Sequence, residues 1–269
     1  MDTVNVNTQY DTLIVQIDGD ICVIQIHRPS ANNTINDQLV TELLHVVTYC
    51  EAHCKIVVLE GSPDTFCFGA DFATIRENFT ASQNLDTLAQ QQDPGPLYDL
   101  WLKLTYGSFV SIAHVRGKTN AGGVGFVACC DLVLAEEKAV FSLSELLFGL
   151  MPACVIPFLT RRIGAARCNY LSLMTQPITA RQAENWGLVD ACEENSQALL
   201  RRHLLRLRRL NKTAIQRYKR YLLEQEPALV EAKSKALAAN KAVFADDDNL
   251  ARIARYAQTG ELPWESSNG

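Results

Sequence analysis

The sequence has no apolar run that approaches the roughly 20 residues a membrane-spanning helix requires, so no transmembrane segment is expected. Its first residues (Met1, Asp2, Thr3, Val4, Asn5) offer neither the positive charge nor the apolar stretch of a secretory signal. A cytoplasmic location is the expectation. No C-x-x-C pair occurs among the nine cysteines, and nine is an odd number. Cys50 and Cys54 are four apart, hence on one helix face, but no second pair or paired histidine completes a metal site. Cys22, Cys67, Cys129, Cys130 and Cys154 stand in apolar runs, where a reduced thiol packs as a small hydrophobe. Reduced structural thiols are therefore expected, rather than disulfides, a metal site or redox chemistry. The string Gly117-Lys118-Thr119 lacks the upstream glycine and the spacing of a phosphate-binding loop.

One further absence is local. Between Arg201 and Arg220 there is no Asp or Glu, against nine basic residues: Arg201, Arg202, Arg206, Arg208, Arg209, Lys212, Arg217, Lys219 and Arg220. The rest of the chain carries 16 basic and 30 acidic residues. A segment of +9 on a body of −14 is either a solvated helix face or a docking surface for an anionic partner, and the complete lack of acids favours the surface. The acidic body argues against a nucleic-acid binder.

What remains is ordinary globular composition, 269 residues with 48% apolar and 20% charged, enough to bury a sizeable core. Leu13–Ile17 and Ile21–Ile26 flank Asp18-Gly19-Asp20 and form a hairpin pattern. Asn36 or Asp37 caps a helix to about His53, and Ile56–Glu60 is a short buried strand. Phe66–Ala70 leads into a helix near Asp71, whose carboxylate suits a helix N-terminus. The polar, Gln-rich stretch Ala81–Gly95 is expected as a mobile loop. Pro96–Leu104 is helical, Val110–Val115 a buried strand, and Val124–Cys130 a helix packed tightly on the sheet. Asp131–Ala135 and Val140–Ser142 follow as strands. From Pro152 the pattern is helical: Ile156–Ile163, Ala166–Thr175, Ala180–Trp186, Gln197–Leu210, Ala214–Leu223 and Leu229–Phe244. This indicates an α/β core over residues 1–195 and a C-terminal helical region over 196–269, in one domain without a linker.

Two segments share a physical character. Phe68-Gly69-Ala70-Asp71 and Asn120-Ala121-Gly122-Gly123-Val124-Gly125 each bring a strand to a helix start through small residues. First-turn N–H groups have no intrahelical partner and sit at the positive end of the helix dipole. Two such turns side by side supply two donors to one oxygen, an oxyanion hole. Alone, the glycine cluster is weak evidence, since glycines also serve tight turns and close packing.

Both segments resemble the oxyanion motifs of the crotonase (enoyl-CoA hydratase/isomerase) superfamily. Downstream, Phe141-Ser142-Leu143-Ser144-Glu145-Leu146-Leu147-Phe148-Gly149-Leu150-Met151-Pro152 is similar to the stretch that carries a catalytic glutamate there, and Trp186-Gly187-Leu188-Val189 to a further family segment. The similarity runs through nearly the whole chain. It implies an α/β spiral of ββα units with a C-terminal helical region that trimerises. It also implies Ala70 and Gly122 as the oxyanion donors and Glu145 as acid/base, although an ordinary capping role for Glu145 stays open. Apolar neighbours Leu143, Leu146, Leu147 and Phe148 argue for partial burial, which raises a carboxyl pKa towards a useful value.

Hydratases of this family use two glutamates, and the first would fall at Gly125. One carboxylate suffices to remove a proton α to a thioester and then protonate a departing β-hydroxyl. The resemblance is strongest to dehydratases of polyketide β-branching cassettes, through Asn32–Asp37, Phe66–Phe72, Leu97–Trp101, His114–Lys118, Phe141–Gly149 and Leu204–Lys212. That likeness implies dehydration of 3-hydroxy-3-methylglutaryl on an acyl carrier protein to the 3-methylglutaconyl thioester. It implies no cofactor beyond the carried phosphopantetheine or coenzyme A. The acidic carrier would dock on Arg206, Arg208, Arg209 and Lys212. A homotrimer or a dimer of trimers is expected.

Lys118 and Asn120 are candidates for the substrate's distal carboxylate, although Lys118 also suits a solvent-facing surface. Asp71 is a further pocket candidate, with helix capping as its plainer role. Tyr98, Trp101 and His114 read as core residues. A decarboxylase of the same cassettes carries Tyr and Lys where this chain has Thr74 and Asn78, which disfavours decarboxylation. A coenzyme A-dependent hydratase or isomerase and an inactive crotonase-fold scaffold remain the competing readings.

Overall fold

The computed structural model describes residues 9–75, 93–262 and 265. Most of the Gln-rich stretch expected as a loop lies outside the described residues, as does Asn78.

The hairpin strands β1 (Leu13–Asp18) and β2 (Ile21–Ile26) are joined through Gly19, whose φ of +60° is a glycine conformation. Helix α1 (Asp37–His53) starts at Asn36, whose side chain accepts from the Leu39 N–H at 3.0 Å. Strands β3 (Ile56–Glu60) and β4 (Thr65–Cys67) follow, then α2 (Gly95–Tyr106), β5 (Val110–Val115) and β6 (Lys118–Asn120). The remainder of the core is α3 (Gly122–Cys129), β7 (Leu132–Glu136), β8 (Val140–Ser142), α4 (Val155–Met174), β9 (Ile178–Thr179), α5 (Ala180–Trp186) and β10 (Ala191–Glu193). Helices α6 (Ser196–Leu207), α7 (Lys212–Gln225), α8 (Ala228–Phe244) and α9 (Asp247–Thr259) complete the chain.

Two sheets result. The larger has the order β1-β2-β3-β5-β7-β10, parallel from β2 onward; the smaller has the order β4-β6-β8-β9, with β4, β6 and β8 parallel. Strand β3 is buried throughout because both faces of its sheet are covered. Val57 and Leu59 face the main core with α1 and α3 residues, while Ile56 and Val58 pack with Leu199 and Leu200 of α6 on the other side.

The two helices expected on either side of Gly164 are found as α4, broken at that residue, whose φ of +78° is not helical. The last helix, α9, has no counterpart in the sequence expectation. Its signals were present: Asp246 caps it by accepting from Asn249 N–H at 3.1 Å, Asp247 and Asp248 occupy its first turn, and Gly260 ends it at φ +73°. Leu250 and Ile253 of α9 are buried against Ile75, Phe148 and Leu150.

The basic segment is partly structural. Lys219 is buried and donates to the Thr105 carbonyl at 2.6 Å and to the Asp131 carboxylate, which also accepts from Ser111 N–H at 2.8 Å. These bonds fasten α7 to the end of α2 and, through Asp131, to the start of β5. Removing one member of a buried pair leaves an uncompensated charge, so Asp131→Ala should destabilise the fold by about 3–5 kcal/mol. Chemical denaturation of the variant checks this, and a loss below about 1 kcal/mol would contradict the assigned pairing.

Candidate active site

The register of the smaller sheet delivers three turns to one place. Cys67 pairs with Thr119, Thr119 with Phe141, and Asn120 with Ser142. The residues beyond these strands, Gly69-Ala70, Ala121-Gly122 and Ser144-Glu145, therefore emerge next to one another. Ala70, Gly122 and Glu145 line a cavity of about 850 Å³, large enough for a small-molecule site.

Close approach of the first two turns requires small residues. A Cβ on Gly69 would lie 2.6 Å from that of Ala121 and 3.4 Å from the Gly122 nitrogen. Ala121 has φ 51° and ψ −123°, a conformation that costs a residue with a Cβ about 1–3 kcal/mol. Strain of this kind marks positions that the surrounding structure over-determines. Ile35 N–H donates to the Gly69 carbonyl at 2.7 Å and Asp71 N–H to the Ile35 carbonyl at 3.1 Å. This bridge uses the groups on either side of the Ala70 N–H. Gly122 is the first residue of α3, so its own N–H has no intrahelical acceptor. Among the described residues neither the Ala70 nor the Gly122 N–H meets a protein acceptor. Two free donors, one at a helix N-terminus, suit an oxygen that gains negative charge.

Glu145 opens a 3₁₀ turn, Glu145–Phe148, which closes at Gly149 with φ +77°. Its Oε2 is buried without a hydrogen-bond partner. Burial pushes the carboxyl pKa up to about 7, against the opposing pull of the Glu145 and Ser144 backbone N–H groups. Helix α9 holds this turn: a Cβ on Gly149 would lie 2.0 Å from Asn249 Oδ1, and Phe148 packs edge-on against Tyr256 at 5.0 Å between ring centroids.

Beside Glu145 runs a short polar chain. Ser142 Oγ donates to Asn120 Oδ1 and Asn120 Nδ2 to Ser144 Oγ, each at 2.8 Å. Gly125 carries no carboxylate, and the space a Cβ would need lies 2.4 Å from the Trp101 ring. Among the described residues no group of three or more His, Cys, Asp or Glu is placed to hold a metal, and no helix is long and apolar enough to cross a membrane.

The family model for enoyl-CoA hydratase/isomerase matches residues 16–267. The chain belongs to the enoyl-CoA hydratase/isomerase family. It is 50% identical over 257 residues to the bacillaene synthase dehydratase PksH of Bacillus subtilis, covering 95% of this chain and 97% of that one. The crystal structure of that B. subtilis polyketide biosynthesis enoyl-CoA hydratase superposes with a TM-score of 0.91 over 95% of this chain and all of the other. The 2,3-dehydroadipyl-CoA hydratase of Escherichia coli is 32% identical over 183 residues, covering 66% of this chain and 68% of that enzyme.

Within this family fold, the expected residues fall in different places. Asp71 lines the cavity but is committed: it pairs with Arg28 Nη2 at 2.8 Å and accepts from the Thr74 N–H at 3.3 Å. Burial opposes its ionisation, yet the Arg28 and Thr74 bonds outweigh this and hold its pKa below the ordinary value. Asn120 lines the cavity as expected. Lys118 does not, and that expectation is corrected: it is exposed at the start of β6, about 7 Å behind the strand end that opens on the cavity.

The four residues expected to dock a carrier differ in their surroundings. Lys212 is half-buried, with Nζ donating to the Cys50 and Cys54 carbonyls at the end of α1. Arg208 pairs with Asp18 at 2.7 Å. Arg206 and Arg209 are exposed with no ion-pair partner among the described residues. None of the four lines the cavity. His114 is buried, with Nδ1 2.6 Å from Glu60 Oε1 and Nε2 unpartnered. The nine cysteines are all free and buried. Cys22 lies with Cys50 and Cys54 in one buried cluster of thiols that sequence spacing could not reveal. Arg28, Ser142, Ser144 and the cavity-lining position of Trp101 were also missed, because only long-range packing brings them here.

The raised Glu145 pKa has a sign that can be checked. Between the ordinary value of 4.5 and about 7, the folded state binds more protons at this site than the unfolded chain. Its contribution to stability therefore falls as pH rises through that window. The melting temperature of Glu145→Gln relative to the unsubstituted protein should rise from pH 5 to pH 8. A difference that does not change with pH would show that the carboxyl is not desolvated.

Proposed function

We propose that the chain is a dehydratase that acts on 3-hydroxy-3-methylglutaryl carried by an acyl carrier protein and yields the 3-methylglutaconyl thioester. One observation carries the reading: Glu145, whose buried Oε2 has no hydrogen-bond partner, shares a cavity with two free N–H donors, and an aromatic ring fills the place of a second carboxylate at position 125. The 50% identity to a dehydratase over 95% of the chain supports the same reaction class.

The Ala70 and Gly122 N–H groups bind the thioester oxygen and stabilise the enolate. Glu145 removes the α-proton. As the β-carbon to oxygen bond breaks, the double bond forms between the α- and β-carbons, and Glu145 returns its proton to the departing hydroxyl, which leaves as water. Asn120 and the Ser144 hydroxyl are the groups we assign to the distal carboxylate. The chemistry calls for no metal or separate cofactor. A trimer is the assembly we propose, with the exposed Tyr170, Leu173 and Met174 on α4 as apolar surface for contact between copies.

Mass spectrometry of the 3-hydroxy-3-methylglutaryl carrier after incubation tests the reaction. Loss of one water is expected; additional loss of carbon dioxide would assign the decarboxylase instead, and no change would leave a binding protein. Glu145→Gln should lower turnover about 10²–10⁴-fold. In the unsubstituted enzyme kcat/KM should rise with pH through about 7, as the carboxylate forms.

The carrier remains the partner we propose, recognised by the exposed arginines of the 201–220 segment that have no internal role. Charge reversal at Arg206 and Arg209 should raise KM for the carrier-bound substrate severalfold and spare the coenzyme A thioester. Equal effects on both substrates would remove this surface from carrier recognition.

A further inference from the structure

Trp101 is 1% exposed and lines the cavity together with Leu97, one turn earlier on the same face of α2. A Cβ on Gly125 would lie 2.4 Å from both Cη2 and Cζ2 of the indole and 3.0 Å from Cε2. Position 125 thus has no side chain because the edge of this ring occupies the space. Phe126 and Phe158 hold the ring edge-on, at centroid distances of 5.8 and 5.6 Å. Nε1, bonded to Cε2, is buried and has no hydrogen-bond partner among the described residues. Buried indole N–H groups ordinarily find an acceptor, so an unmet one on a cavity-lining residue points to an acceptor that arrives with the ligand.

The position of the ring says which part of the ligand that is. Gly125 and Gly122 are three residues apart on α3 and share a helix face, about 5 Å apart along the axis. An acyl chain anchored by its carbonyl on the Gly122 N–H and running along this face reaches the indole edge at the depth of its β-substituent. An indole N–H donates and has no lone pair to accept with. It can therefore hold the β-oxygen as negative charge grows there, but it cannot exchange a proton with that oxygen as a carboxylate at position 125 would.

We propose that Trp101 is a substrate-binding residue whose indole N–H donates to the oxygen on the β-carbon of the acyl thioester and stabilises that oxygen as its bond to carbon breaks. This rests on the dehydratase reading above and deepens it.

Trp101→Phe keeps an aromatic ring and removes the donor. Two reactions separate its roles: dehydration of the 3-hydroxyacyl thioester, and exchange of the α-proton with deuterated water in the matching thioester that lacks the β-oxygen. The exchange needs only Glu145 and the two backbone donors. Dehydration should lose about 10-fold or more in kcat/KM, while exchange stays within about 2-fold. Unchanged dehydration, or equal loss in both reactions, would overturn the role of Trp101. Absence of exchange in the unsubstituted enzyme would instead overturn the dehydratase reading itself. A second measurement needs no change at Trp101. In Glu145→Gln, which should consume substrate at least about 10²-fold more slowly, the Trp101 Nε1–H resonance should move downfield with the 3-hydroxyacyl thioester and not with the deoxy compound. The same shift with both ligands would contradict a bond to the β-oxygen.

Discussion

The side-by-side register of β4, β6 and β8 is the constraint on which the site depends. Each strand is only three residues long, and each ends in a turn that carries one functional group: the Ala70 N–H, the Gly122 N–H and the Glu145 carboxyl. Strands in a sheet lie about 4.8 Å apart, so parallel pairing in register brings the three turns within reach of one small ligand. The cost is paid locally, in the positive φ of Gly69 and the strained backbone of Ala121. A residue larger than glycine at 69 would separate the two donors, because its Cβ meets Ala121 at 2.6 Å.

Around that frame the electrostatics are sparse. Glu145 is the carboxylate that burial pushes up to about 7, while Asp71, also at the cavity, is held ionised by Arg28 and Thr74. Two carboxylates in one cavity are thus driven in opposite directions by their neighbours. The Arg28 guanidinium also bonds the Thr34 carbonyl and hydroxyl, so it ties Asp71 to the segment whose Ile35 flanks Ala70. Charge at this edge of the cavity positions backbone, and charge at Glu145 is free for chemistry.

The basic segment shows how far composition can mislead about place. Its lack of acids suggests a single surface, yet the fold divides it. Lys219 is buried under α7, Lys212 closes the end of α1, Arg202 and Arg208 pair with Glu193 and Asp18, and the others face solvent. Helix α6 also packs on the face of the large sheet away from the main core, through Leu199 and Leu200. A long lysine with a buried partner and a solvated arginine look alike in sequence, because the burial of the side chain is decided by contacts more than 80 residues away.

Most of the elements were legible in the sequence. The Asp18-Gly19-Asp20 hairpin, the Asn36 cap, the buried run Ile56–Glu60 and the break at Gly164 each depend on local periodicity or on a glycine conformation, and local rules suffice for those. The paired turns at Ala70 and Gly122 were legible for the same reason, as short signals with a local mechanism, whereas Glu145 was reached through the family resemblance. What only the tertiary structure decided was adjacency. It set Trp101 against Gly125, closed α9 over the Glu145 turn, linked Ser142, Asn120 and Ser144, gathered Cys22 with Cys50 and Cys54, and left Lys118 outside the cavity. Each of these depends on strand register or helix packing between distant segments, and no local pattern encodes which side chain will meet which.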